Sequence, residues 1–203
     1  AAGGTVMEDC RVIEAVKEGK FTSVLVLTHD KKYVEYRTEH FVNALGGGAG
    51  KLCDSMGIDA GLYPVRHQAF ITRRLPMLGK NGANLDMLID RQDYKGFSAV
   101  YGQQIAHTGQ IIGCASPKLD AMRIDKNLKL NTKAFLEIVS EMFVEWIPDL
   151  AGVGIQAVWA GYYTEPRYIV DPELGLFVGM RGHGFMLAQY IAKMYVDKLM
   201  GRP

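Results

Sequence analysis

Gly175-Leu176-Phe177-Val178-Gly179-Met180-Arg181-Gly182-His183-Gly184-Phe185-Met186-Leu187 is the stretch around which the rest of the chain can be placed. Its apolar start reads as a short strand. A glycine-rich turn follows, and then a helix from about His183 to Met200. Three glycines within six residues, Gly179, Gly182 and Gly184, let the backbone turn sharply and lie close to a flat or charged group. A helix leaving such a turn presents unpaired N–H groups and the positive end of its dipole. That arrangement suits an anion or a polar edge. The same spacing serves equally well as a plain strand-to-helix connection, with glycine needed only for packing.

A second junction of the same kind lies upstream. His40-Phe41-Val42-Asn43-Ala44-Leu45 reads as a buried strand, Gly46-Gly47-Gly48-Ala49-Gly50 as a glycine cluster, and Lys51 to Met56 as a helix. Alone it reads as a flexible turn. Two strand–glycine–helix junctions in one chain point to one extended polar ligand faced by both.

Outward from these junctions the chain alternates strands and tight turns. Cys10 to Val16, Phe21 to Thr28 and Tyr33 to Thr38 are strand candidates, joined by Lys17-Glu18-Gly19-Lys20 and His29-Asp30-Lys31-Lys32. The connections are too short for a βαβ crossover, so the three form a meander. Gly61 to Thr72, Leu85 to Asp90, Phe97 to Gln104 and Gln110 to Ala115 predict a broad antiparallel sheet. One of its faces is apolar and the other carries Tyr101, Gln103 and either Arg66 or Gln68, because neighbours alternate. Residues 77 to 84 read as a loop, and 116 to 132 as a polar connection with a short helix near Leu119. Thr132 is an N-cap candidate for the clearest helix, Lys133 to Trp146, whose apolar residues recur at helical spacing until Pro148. Gly154 to Tyr163 returns as a strand. The class is α+β, in three parts: 1–60, 61–150 and 151–203.

Composition narrows the function. At 203 residues the chain can bury a sizeable core, and 48% hydrophobic content is that of an ordinary globular protein. A formal net charge of +1 argues against a nucleic-acid footprint. No apolar run reaches the roughly 18 residues that would span a bilayer. The three cysteines, Cys10, Cys53 and Cys114, are far apart and form no CxxC pair. They imply neither zinc nor a disulfide framework, and a reducing cytoplasm is expected. His67, His107 and Cys114 lack metal-ligand spacing, so no metal is expected. The chain opens without a methionine and within about ten residues is already strand-like. It is expected to be a processed chain, a fragment or one part of a split enzyme.

Four landmarks in this order resemble the D-amino-acid-oxidase-like family of FAD-dependent oxidoreductases. They are Val12-Ile13 opening the meander; Phe41-Val42-Asn43-Ala44-Leu45-Gly46-Gly47-Gly48-Ala49; Tyr63-Pro64-Val65-Arg66-His67-Gln68; and Trp159-Ala160-Gly161-Tyr162 with Pro166, Asp171 and Gly182-His183-Gly184-Phe185. The resemblance covers nearly the whole chain. It implies a substrate-binding sheet (61–150) between two parts of an FAD-binding α/β domain (1–60 and 151–203). It also implies non-covalent FAD and hydride removal from the carbon next to nitrogen in a small amine or amino acid. Val12 would approach the adenine, and Ala44, Gly46 and Gly47 the body of the FAD. Gly161, Arg181, Gly182, His183, Gly184, Phe185 and Met186 would line the flavin ring. Backbone N–H groups there would stabilise negative charge on its pyrimidine edge. His183 and Tyr101 are the catalytic candidates. Arg66, Gln68, Tyr101 and Tyr163 are the substrate candidates, though each reads equally as a sheet residue.

The departures are as informative. The family's N-terminal GxGxxG unit is absent, and Gly46-Gly47-Gly48 lacks its spacing. A companion chain or segment is therefore expected to supply the diphosphate cradle. Members with a covalent flavin carry a cysteine at the position of Gly161, so no such link forms here. Met186 stands where some members hold the substrate carboxylate with lysine, and Tyr163 where others use arginine. Arg66, Arg167 and Arg181 are the nearby cations left. A non-catalytic subunit or cap domain that has lost FAD binding is the alternative class.

Overall fold

The computed structural model describes residues 3–80, 82–117, 132–165 and 168–202. The polar connection and the short helix expected near Leu119 lie outside these residues. The chain divides into two compact units, residues 1–64 with 163–203, and residues 65–162.

The first unit opens with an antiparallel meander: β1 (Arg11–Glu18), β2 (Phe21–Leu27) and β3 (Tyr33–Thr38), in the order β1-β2-β3. Strict alternation in β2 buries Thr22, Val24 and Val26. The register slips between Val12 and Glu14, a bulge that leaves Ile13 out of the pairing. Helix α1 (Ala49–Ser55) covers the outer edge of β1. There the Ser55 hydroxyl accepts from the Ala15 N–H at 3.2 Å, so an edge strand keeps a partner. The helix starts two residues before the expected Lys51, because a 3₁₀ turn at Gly46–Gly48 runs directly into it.

The second unit is built on a five-stranded sheet of β4 (Tyr63–Thr72), β5 (Leu88–Asp90), β6 (Phe97–Gln104), β7 (Ile111–Pro117) and β8 (Ile155–Glu165), in the order β5-β6-β7-β4-β8. Strands β5 to β6, β6 to β7 and β4 to β7 pair antiparallel. Helix α2 (Thr132–Trp146) begins one residue before the expected start and ends where Pro148 stops it. It lays Phe135, Val139, Met142 and Phe143 on a core with Phe70, Val100, Ile111 and Ala115. Strand β5 is shorter than the apolar run suggests. Leu85 N–H donates to the side chain of Gln104 at 2.7 Å instead of to a neighbouring backbone.

The chain returns to the first unit through β8. It forms a hairpin of β9 (Ile169–Asp171) and β10 (Leu176–Val178), and ends in α3 (Gly184–Leu199). Leu176 and Val178 are 1% exposed and pack with Ala49, Cys53 and Ala60. Among the described residues no helix is long and apolar enough to cross a membrane.

Candidate functional site

The two glycine junctions lie side by side in the first unit. Asn43 and Leu176 form a parallel bridge, with Asn43 N–H donating to Gly175 O at 2.8 Å and Phe177 N–H donating to Asn43 O at 3.0 Å. Parallel neighbours run the same way, so both segments end at one edge and both pass there into a 3₁₀ turn and a helix. In open sheets that edge, beyond the strand ends, is where ligands bind. Asn43 is fully buried and seals the join. Its amide donates to Ala49 O at 3.0 Å and to Cys53 Sγ at 3.5 Å, and its Oδ1 accepts from Leu45 N–H at 3.3 Å.

Neither junction is capped from within the chain. The 3₁₀ turns at Gly46–Gly48 and Arg181–His183, and helices α1 and α3 behind them, have no side-chain hydrogen bond at their N-caps. Gly48, Ala49 and His183 donate their N–H groups to Leu45 O, Gly46 O and Met180 O, so the N–H groups that face a ligand are those just before them, at Gly46 and Gly47 and at Arg181 and Gly182. Gly46 has φ +54°, a conformation that disfavours side chains, and a Cβ there would meet nothing within 4 Å. The chain's own packing leaves that backbone open. Ala44 and Gly46 are exposed, and Gly47 half-buried.

The turn from Arg181 to His183 is held by its neighbours. Arg181 is a non-glycine residue at φ +52°. Its Nε donates to Glu165 Oε2 at 2.8 Å. The Tyr163 ring lies so close under Gly182 that an added Cβ would sit 2.8 Å from it. Tyr168 and His183 share a hydrogen bond of 3.0 Å between the phenol oxygen and Nδ1. Gly184 is half-buried; Phe185 and Met186 project from the start of α3 into solvent. Phe185, Met186, Tyr190 and Met194 leave α3 with a broad exposed apolar surface.

Val12, the adenine candidate, packs at the edge of the cluster of Ala15, Val24, Val26 and Leu52. Gly161, Arg66, Gln68 and Tyr101 belong to the second unit. Gly161 is exposed, and a Cβ there would meet nothing within 4 Å. Register separates Tyr101 from Gln68, and by alternation from Arg66, contrary to the expectation that one face carries Tyr101 with Arg66 or Gln68. Tyr101 stands opposite Cys114, which stands opposite Ala69; Gln68 stands opposite Ala115. Directly opposed residues share a face. Gln68 therefore shares the face of Ala115 and Phe70, beneath α2, and is 5% exposed. By alternation the companion of Tyr101 on β4 is His67. Arg66, one residue earlier, is half-buried. Burial holds His67 down to about 4, so it is neutral at neutral pH. Burial raises the Cys114 thiol despite its hydrogen bond with Tyr101. His107 is exposed in the turn after β6. Arg167 lies outside the described residues.

A family model described as "FAD dependent oxidoreductase" (DAO) matches residues 1–198. The chain belongs to the FAD-dependent oxidoreductase (DAO) family. FAD is that family's cofactor. No curated protein matches. Among solved structures the chain is similar to L-proline dehydrogenase from P. horikoshii, with 26% identity and a TM-score of 0.74 over 99% of this chain and 52% of that one. It shares its fold with glycine oxidase from Geobacillus kaustophilus at 16% identity and TM-score 0.66, over 96% of this chain and 49% of that one. It does so too with fructosyl amine:oxygen oxidoreductase from Aspergillus fumigatus at 16% identity and TM-score 0.68, over 95% and 46%. The chain spans about half the length of these proteins.

The junctions in the first unit fit the family's cofactor. Open backbone at Gly46 admits an extended group, and the N–H groups of Arg181 and Gly182, with the start of α3 behind them, match a polar, electron-rich edge. Sequence reasoning passed over three residues of this region: Asn43, Glu165 and Tyr168. Only Asn43 left a signal, as a polar residue inside an otherwise apolar strand run before a glycine cluster.

Proposed function

We propose that this chain is the back part of an FAD-dependent oxidoreductase acting on an amine or amino acid, with FAD held non-covalently. The observation that carries this reading is the pair of uncapped glycine junctions ending at one edge, tied by the Asn43–Leu176 bridge. Bound FAD would supply the hydride acceptor, taking hydride from the carbon next to nitrogen and leaving an imine for water to hydrolyse. The chain's own residues bind and orient. N–H groups of the turn around Arg181 and Gly182, with the α3 dipole behind them, stabilise negative charge on a polar ring edge, while the His183 N–H closes the turn on Met180 O. Ala44, Gly46 and Gly47 give close backbone approach, and Val12 offers an apolar neighbour. Tyr101 is the substrate candidate in the unit of residues 65–162, since Arg66 and Gln68 lie on the opposite face of that sheet, and Tyr163 is the candidate in the first unit.

The Arg181 guanidinium is already matched by the Glu165 carboxylate, which leaves less net charge for a substrate carboxylate. That favours substrates bound without a strong carboxylate clamp. The diphosphate cradle comes from a GxGxxG segment, elsewhere in the same polypeptide or on a companion chain. The exposed apolar surface of α3 supports such a neighbour. The three free cysteines suit a reducing cytoplasm.

A second reading is favoured by the half-length span of the match: a cap or assembly subunit that holds no FAD alone. Anaerobic mixing of the flavin-loaded protein with a panel of secondary and primary amines and amino acids tests the enzyme reading. Bleaching of the flavin band at about 450 nm by one class supports it. A colourless protein that takes up no FAD, alone or with its companion, supports the second.

A further inference from the structure

We propose that Tyr163, Glu165 and Tyr168 form a clamp on the Arg181-Gly182-His183 turn, and that Tyr168 is the positioning residue for His183. What lies beyond the turn rests on the flavin reading above; the clamp itself rests on contacts within the first unit. Each of the three turn residues has its own partner. Arg181 donates from Nε to Glu165 at 2.8 Å. Gly182 lies against the Tyr163 ring, with room for a hydrogen but not for a Cβ. His183 meets the Tyr168 hydroxyl at 3.0 Å.

Tyr163 and Glu165 are two residues apart on β8, so alternation puts them on one face of the strand. Such a clamp has work to do here. The turn starts from a non-glycine residue in the left-handed region and is stabilised by no side-chain cap. Glu165 is the more buried member of its pair, at 18% side-chain exposure against 48% for Arg181, so the carboxylate is the fixed post and the arginine the tethered group. At His183 the consequence is chemical. With Nδ1 engaged by the phenol, the ring is held in one orientation and its tautomer is biased. Nε2 is then the nitrogen presented to a ligand's polar edge. Tyr168 touches no ligand in this account and acts through His183.

The Tyr168→Phe variant of the purified chain tests this. It keeps the ring and removes the hydroxyl. Long-range proton–nitrogen NMR reads the His183 tautomer without any flavin, a thermal melt reads stability, and FAD titration by visible absorbance reads the site. The expected result is a changed Nδ1/Nε2 tautomer balance, with a melting midpoint within about 2 °C of the parent. FAD binding is expected to weaken roughly two- to tenfold, the worth of one ordinary hydrogen bond. Unchanged imidazole nitrogen signals in Tyr168→Phe overturn the clamp. Changed signals with no FAD uptake by parent or variant, alone or with a GxGxxG-bearing companion segment, uphold the clamp and count against the flavin reading.

Discussion

Asn43 does at the residue scale what neither of its two segments does alone. Its backbone joins one glycine junction to the other, and its side chain fixes the first turn of α1 from a site with no solvent. Truncation to Ala leaves the Ala49 carbonyl and the Leu45 N–H short of a partner. A loss of about 2–3 kcal/mol in unfolding free energy is expected, read from chemical denaturation at constant slope. His67 makes a different prediction. Its folded-state value of about 4 lies below the ordinary 6.5, so burial disfavours the charged ring. The unfolded chain binds the extra proton between those values. The stability is therefore fully present above pH 6.5 and is lost as pH falls towards 4, by up to about 3 kcal/mol. Denaturation midpoints across that window should fall in the parent and flatten in His67→Phe. Residue identity was only partly informative. Arg181 reads in sequence as an available cation; only the fold shows that Glu165, sixteen positions away, has claimed its Nε.

At the element scale, strands and helices were largely readable because their burial follows their period. Apolar runs bounded by turn residues located β2, β6 and β8, alternation located β3, and the 3.6-residue repeat located α2. Register was not readable. A one-residue change in pairing moves a side chain to the other face, and nothing local to Tyr101 or Gln68 states which residue stands opposite. The same limit applied to β5, where a single side-chain acceptor, Gln104, diverts the backbone of Leu85 from the sheet. Packing of α2 on the sheet gives a direct test. Phe135 is 1% exposed and lies 6.3 Å from the rings of both Phe70 and Phe97, centre to centre. Phe135→Ala is expected to cost about 3–5 kcal/mol, measured by chemical denaturation, because a large cavity opens in a tightly packed core.

On the scale of the whole molecule, the chain is a DAO-family polypeptide of two compact units that spans about half the length of the solved proteins it resembles. The order of its landmarks was legible: meander, glycine junction, sheet strand, second glycine junction. Each occupies a contiguous stretch with a distinctive turn chemistry. That the two junctions adjoin was not legible, since more than 120 residues separate Asn43 from Leu176 in sequence. This adjacency turns two ordinary glycine turns into one candidate cofactor wall. The measurement that tests it most directly is titration of the purified protein with FAD, alone and with a GxGxxG-bearing companion segment, followed at about 450 nm after removal of unbound flavin. The account predicts saturable retention of FAD, weakened when Gly46 or Gly182 is changed to Val. No retention under either condition, or retention indifferent to both substitutions, would contradict it.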